Sequence, residues 1–158
     1  MSTPTGIETP DRSLPTEFAS SRERVAERLA AADIVLAVLH GSRARGQGHP
    51  RSDLDVGLLA SDGRPLSYGE MGLLAADLSP LLSHEVDISD LATPDAIFRY
   101  EVARCARILF ERRPGTFADF VAKALIDYCD IQRFIPELVA GVARRAQRDA
   151  AATRGATT

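Results

Sequence analysis

Lysine is nearly absent: of the 19 basic residues in this 158-residue chain, eighteen are arginine and Lys123 alone is lysine. Such a bias reflects genome composition first, although arginine is also the better fork for phosphate. Cysteine is scarce too. Cys105 and Cys129 lie 24 residues apart without a CxxC motif, and the three histidines are scattered, so neither a disulfide framework nor a zinc site is indicated. No apolar run reaches the roughly 18 residues of a membrane span, and the polar opening MSTPTGIETPDRS lacks the cationic start and apolar middle of a signal peptide. The expectation is a protein of the cytoplasm with no membrane association. Neither sign of charge prevails: 22 acidic residues against 19 basic ones give a net charge of -3. That balance offers no grip on a long polyphosphate backbone, so direct nucleic-acid binding is not expected.

With 45% hydrophobic and 26% charged residues the chain can bury a core, and its length suits one domain. Residues 1–14, rich in Ser, Thr and Pro, read as a flexible arm. Residues 15–150 read as the folded domain, with a helical part from about 115, and 151–158 as a frayed tail. Within the domain, apolar spacing predicts a helix over 16–32, placing Phe18, Val25 and Leu29 near one face. β-Branched and apolar runs predict strands over 34–40, 54–60, 84–91 and 106–112. A helix over 67–83 is expected to kink or end near Pro80, and the next to be capped by Thr93 with Pro94 at its first position. From Thr116 the chain reads as helix, interrupted at Pro136 and resuming to about 150. Cys105 and Cys129 are expected in the core as small apolar residues. The alternation of strands with helices selects an α+β or α/β domain with helices packed on a small sheet of about four strands.

The chemistry concentrates between Gly41 and Val56. A strand ends in Gly41-Ser42, ten residues follow, and Asp53-Leu54-Asp55 opens the next strand. Side chains alternate along a strand, so Asp53 and Asp55 share a face with Cα atoms about 6.5–7 Å apart. Two carboxylates so placed repel unless a cation sits between them, and hard oxygen donors suit Mg²⁺ or Mn²⁺. Asp87 lies mid-strand between Val86 and Ile88 and would complete a triad around two metal ions if its strand lies beside that of Asp55. Glycine lets a backbone approach a phosphate, Ser42 adds a hydroxyl and an amide, and a helix starting there turns its positive end to the anion, which together make a triphosphate cradle. Three arginines, Arg43, Arg45 and Arg51, face two aspartates in this window, a local formal charge of +1. Arg43 and Arg45 cannot face the same way on a helix, and Arg43 is the one favoured at the nucleotide. Gly46 and Gly48 read as turn glycines, and His40, His49 and His84 as core-edge or loop residues.

The pattern of Gly41-Ser42, Asp53-x-Asp55 and a later strand Asp87 resembles the DNA polymerase β-like nucleotidyltransferase superfamily. More closely, LHGSRARGQGHPRSDLDVGLL and EVDISDL resemble the minimal nucleotidyltransferase (MNT) antitoxins that accompany HEPN toxins. The resemblance spans residues 34–91 and is looser over the C-terminal helices. It departs in His40, which stands where many members carry an aromatic residue, and in the N-terminal arm. It implies a polymerase β-like α+β fold and transfer of AMP from ATP to a tyrosine of a HEPN ribonuclease partner. In that scheme Asp53, Asp55 and Asp87 are the catalytic metal ligands for two Mg²⁺ ions, and Gly41, Ser42, Arg43 and Ser52 hold the nucleotide. Two other functions remain open at this point: an antitoxin that masks its partner by binding alone, and a nucleotidyltransferase acting on an aminoglycoside-like small molecule.

Overall fold

The computed structural model describes residues 15–47, 49 and 52–155; the expected N-terminal arm lies outside them. A four-stranded mixed sheet forms the centre, in the order β3-β2-β1-β4. Strand β1 (Ile34–Leu39) pairs antiparallel with both β2 (Leu54–Ala60) and β4 (Arg107–Glu111), while β2 pairs in parallel with β3 (Val86–Asp90). The two inner strands are the most apolar in the sequence, as strands buried on both faces must be. The α+β class and the four strands agree with the sequence reading, and β2 has the bounds it predicts.

Alternation along β2 sorts the molecule into two layers. Leu54, Val56, Leu58 and Ala60 face a cluster closed by Phe18, by Val25 and Leu29 of α1 (Arg22–Ala31), and by Leu74, Leu78 and Leu82 of α3 (Tyr68–Leu82). Leu59 faces the opposite cluster, built on Leu36, Val38 and Leu91 and covered by Val102 and Ala103 of α4 (Ala96–Cys105) and Phe117, Phe120 and Ala124 of α5 (Thr116–Gly155). Asp55 falls on this second face, two residues before Gly57. Each fully buried aliphatic side chain contributes about 1.5–3 kcal/mol of transfer free energy, so the register of these strands is strongly specified.

Several boundaries differ from expectation for local reasons. The first helical segment divides into a 3₁₀ stretch, Thr16–Ser21, and α1 proper. Helix α3 opens with a capping box in which Ser67 and Glu70 satisfy each other's backbone amides. It continues two residues past Pro80 before Ser83 closes it in the left-handed conformation. The cap of α4 is Asp95, not Thr93: its carboxylate accepts from the amides of Ile97 and Phe98 at 3.0 and 2.9 Å, while Thr93 Oγ1 accepts from the amide of Asp95. Pro136 does not interrupt α5, which continues through it to Gly155 and so takes in residues 151–155 of the expected tail. The thiols also differ from expectation, since Cys129 is exposed and Cys105 half-buried, donating to the Glu101 carbonyl at 3.1 Å. Among the described residues no helix is long and apolar enough to cross a membrane.

Candidate active site

At the end of β1 the chain turns sharply around one carboxylate. His40 is extended, and its amide donates to the Asp55 carbonyl at 2.9 Å, continuing the β1–β2 ladder by one rung. Gly41 follows with φ +69°, in the region that favours glycine. A Cβ at Gly41 would lie 2.0 Å from Oδ2 of Asp55 and 2.9 Å from its Cγ. Glycine is therefore required twice, by the backbone angle and by the carboxylate pressed against its Cα.

The turn continues into a single helical turn, α2 (Gly41–Ala44), which places Ser42 at the surface beside Asp55. Two groups hold α2 in place. Arg107 Nε of β4 donates to the Ala44 carbonyl at 3.1 Å, and the Gln47 amide returns to the Ser42 carbonyl at 3.0 Å. Arg43 is largely buried, with its Nη1 on the carbonyls of His49 and Ser52 at 3.3 Å each and its Nη2 on Glu17 at 3.2 Å. It thus ties the segment before Asp53 to α2 and to the 3₁₀ stretch. Ser52 closes a turn on His49 at 2.9 Å, and Leu54 then enters the sheet by donating to Glu85 at 2.8 Å.

The carboxylates come from both inner and outer strands. Asp55 and Asp87 are direct Cα partners in the parallel β2–β3 ladder, so their side chains stand together on one face. Val86 and Ile88, on either side of Asp87, turn to the opposite cluster. Asp53 immediately precedes β2 and is exposed, Asp55 is half-buried and Asp87 exposed. Among the described residues no group of three or more His, Cys, Asp or Glu side chains closes around a single point. The ladder brings Asp55 and Asp87 together, and Asp53 lies two residues before Asp55, outside the ladder. Such a set fits Mg²⁺, which dehydrates reluctantly and shares its positions among one or two carboxylates, water and substrate phosphates. The missing Cβ of Gly41 leaves room for Oδ2 of Asp55 against the turn.

Sequence reasoning placed His40 only at a core edge, and the structure puts it directly behind the carboxylates. Its ring is buried, meets Phe98 edge-to-face at 5.6 Å, and has no partner for Nε2. Burial pushes its pKa below the usual histidine value, against the opposing pull of Asp55 and Asp87. A cavity of about 180 Å³ opens there, lined by His40, Gly41, Arg45, Phe98, Glu101 and Cys105 among others. Phe98 and Arg107 carry no signal in the sequence, because α4 and β4 reach the site only through packing.

The model of a family described as polymerase β nucleotidyltransferase matches residues 23–114, a span containing the whole sheet and, Glu17 apart, the groups described above. Among solved structures, the crystal structure of a toxin-antitoxin with AMP-PNP contains a chain that superposes with a TM-score of 0.64 at 22% identity, over 77% of this chain and 98% of that one. The toxin-antitoxin MntA-HepT gives a TM-score of 0.60 at 20% identity, over 79% and 98% of the two chains. A complex of a tri-AMPylated Shewanella oneidensis HEPN toxin with MNT antitoxin also gives 0.60 at 20% identity, over 80% and 98%. At these identities the likeness to the solved structures is one of fold. No curated protein matches.

Proposed function

The chain belongs to the polymerase β nucleotidyltransferase family, and from that premise we propose that it is an MNT-type antitoxin that transfers AMP from ATP to a tyrosine hydroxyl of a HEPN toxin and so neutralises it. The observation that carries this reading is the in-register pair Asp55 and Asp87 with Gly41 seated against the Asp55 carboxylate, inside the span matched by the family model. The partner and the acceptor are inferred from the fold shared with toxin-antitoxin complexes, and the nucleotide from the AMP-PNP and tri-AMPylated complexes among them.

In the proposed reaction the acceptor oxygen attacks the α-phosphorus of ATP, a new P–O bond forms, and the bond to the bridging oxygen of the β-phosphate breaks with release of pyrophosphate. Asp53, Asp55 and Asp87 would hold Mg²⁺, which supplies neutralisation of charge on the transferring and leaving phosphates. Gly41 and Ser42 offer backbone amides and a hydroxyl to the triphosphate at the start of α2. Arg43 positions the Ser52–Asp53 entry to β2 through the two carbonyls it binds. Asp87, exposed at the rim, is the carboxylate best placed to take the hydroxyl proton as the acceptor oxygen attacks. Catalysis of this kind is mostly positioning and charge stabilisation.

Incubation with a candidate HEPN toxin, Mg²⁺ and each NTP in turn, followed by intact-mass measurement, tests the proposal. A gain of about 329 Da per AMP on the partner is expected with ATP. An unmodified partner, or modification persisting with both Asp53→Ala and Asp55→Ala, would overturn it.

A further inference from the structure

Helix α5 is amphipathic beyond the point where the domain gives it anything to pack on. At 100° per residue, Phe117, Phe120, Val121, Ala124 and Tyr128 form one stripe. That stripe is covered: Phe117, Phe120 and Ala124 are buried, Val121 packs on the same cluster, and Tyr128 stacks on Tyr100 of α4 at 3.8 Å. The same stripe continues past Tyr128 as Ile131, Phe134, Ile135, Val139 and Val142, an arc about 140° wide on the same side of the helix. Here it is open to solvent, with Phe134, Val139 and Val142 exposed by 66%, 61% and 63%. Pro136 falls outside the arc, where its missing N–H leaves the seam intact.

The spacing of the stripe is that of a coiled coil. Apolar residues at 117, 121, 124, 128, 131, 135, 138 and 142 alternate steps of four and three, a heptad seam that beyond Tyr128 has no mate among the described residues. Charge is divided along the helix as well. Asp119, Asp127 and Asp130 against Lys123 make the first half acidic, while Arg133, Arg144 and Arg145 against Glu137 make the second half basic. Two copies laid antiparallel set acidic against basic halves, and laid parallel they set like against like.

We propose that α5 is a dimerisation helix whose exposed seam pairs antiparallel with α5 of a second copy of this chain. The register that interleaves the seam sets Ile131 opposite Val142 of the partner subunit. It also sets the acidic part of the helix around Asp127 and Asp130 against its basic end around Arg144 and Arg145 in the second copy. A twofold arrangement covers both open seams at once and leaves none to propagate. The surface is self-complementary in both shape period and charge, which is why a second copy is the occupant. Helix α5 begins after the end of the family match, so this device is independent of the transfer chemistry.

Light scattering and sedimentation of the purified full chain, without nucleotide or toxin, test the proposal. At tens of micromolar the mass is expected at about twice 17.0 kDa. Val142→Asp should weaken the dimer by about tenfold or more, whereas Ile126→Asp, exposed by 62% on the other side of the helix, should not. Far-UV dichroism of both variants reports whether the domain is intact. With Cys105 and Cys129 replaced by serine, Ile131→Cys and Val142→Cys variants should form a disulfide when mixed, and neither should do so alone. A monomer at these concentrations overturns the proposal, as does a dimer that Val142→Asp leaves unweakened. So does each cysteine variant cross-linking to itself, the mark of a parallel pair.

Discussion

Asp55 and Asp87 sit level with each other on adjacent parallel strands, and the carboxylate of the first lies where the Cβ of residue 41 would be if that residue were not glycine. A pair of anions is thus fixed by main-chain pairing, and the glycine turn makes room for one of the two carboxylates.

Gly41→Ala meets two obstacles, a φ of +69° and a carboxylate oxygen 2.0 Å from the new methyl. Strain of this kind costs about 1–3 kcal/mol, and relief requires moving Asp55. The expected outcome is a lower melting temperature together with loss of transfer activity, read by thermal unfolding and by label transfer from ATP. A variant with unchanged melting and activity would show that the turn adapts at no cost.

Removing one charge from the in-register pair should separate stability from function. Like charges opposed on neighbouring strands destabilise by about 0.2–1 kcal/mol. Asp87→Asn should therefore melt at or above the wild-type temperature in EDTA while transfer collapses. Titrating Mg²⁺ should stabilise the wild type by about 2.7 kcal/mol at a hundredfold excess over Kd, read as a higher melting temperature. The same titration should move Asp55→Asn and Asp87→Asn little. Equal Mg²⁺ shifts in all three proteins would place the metal elsewhere.

Arg43 holds two carbonyls and an acid with one planar fork. Lysine has no such fork, so Arg43→Lys should lose nearly as much as Arg43→Ala, about 1–2 kcal/mol of stability along with activity. A role confined to binding phosphate would leave the melting temperature unchanged in both variants.

Glu70 gives a pH signature. Hydrogen bonds from Arg64 first, then from the Ser67 amide and hydroxyl, hold its pKa down to about 2, from an ordinary value of 4.5. A carboxyl whose pKa is lower in the folded state stabilises above the unfolded pKa and loses that contribution as pH falls through the folded one. Glu70→Gln should therefore lower the melting temperature at neutral pH, with the difference shrinking between about pH 4.5 and pH 2. A difference that stays constant across that window would show that the carboxylate charge contributes nothing to the cap.

Much of this is written locally in the chain. The run IVLAVL is a strand because nothing else buries so much β-branched surface in six residues, and LDVGLLA is one because its even positions alone are apolar enough for one cluster. Local cues misled where two candidates competed. Thr93-Pro94 has the look of a helix start, yet Asp95 stands one residue before the helix and has the stronger acceptor. Pro136 looks like a break, but a helix already held by Phe117, Phe120 and Tyr128 tolerates one lost hydrogen bond.

The sequence by itself marked which residues could serve as ligands, because carboxylates beside a glycine turn are legible in spacing alone; Asp53, expected to share the strand face of Asp55, lies just before β2 instead. On α5 the sequence held the apolar spacing, but that the helix runs through Pro136 and carries the stripe unbroken came from the structure. Only the tertiary structure decided that Asp87 stands level with Asp55, that His40 lies behind them against Phe98, and that Arg43 holds the loop before Asp53. Those relations depend on strand order and register, which are set by burying both faces of the sheet at once and by no single segment.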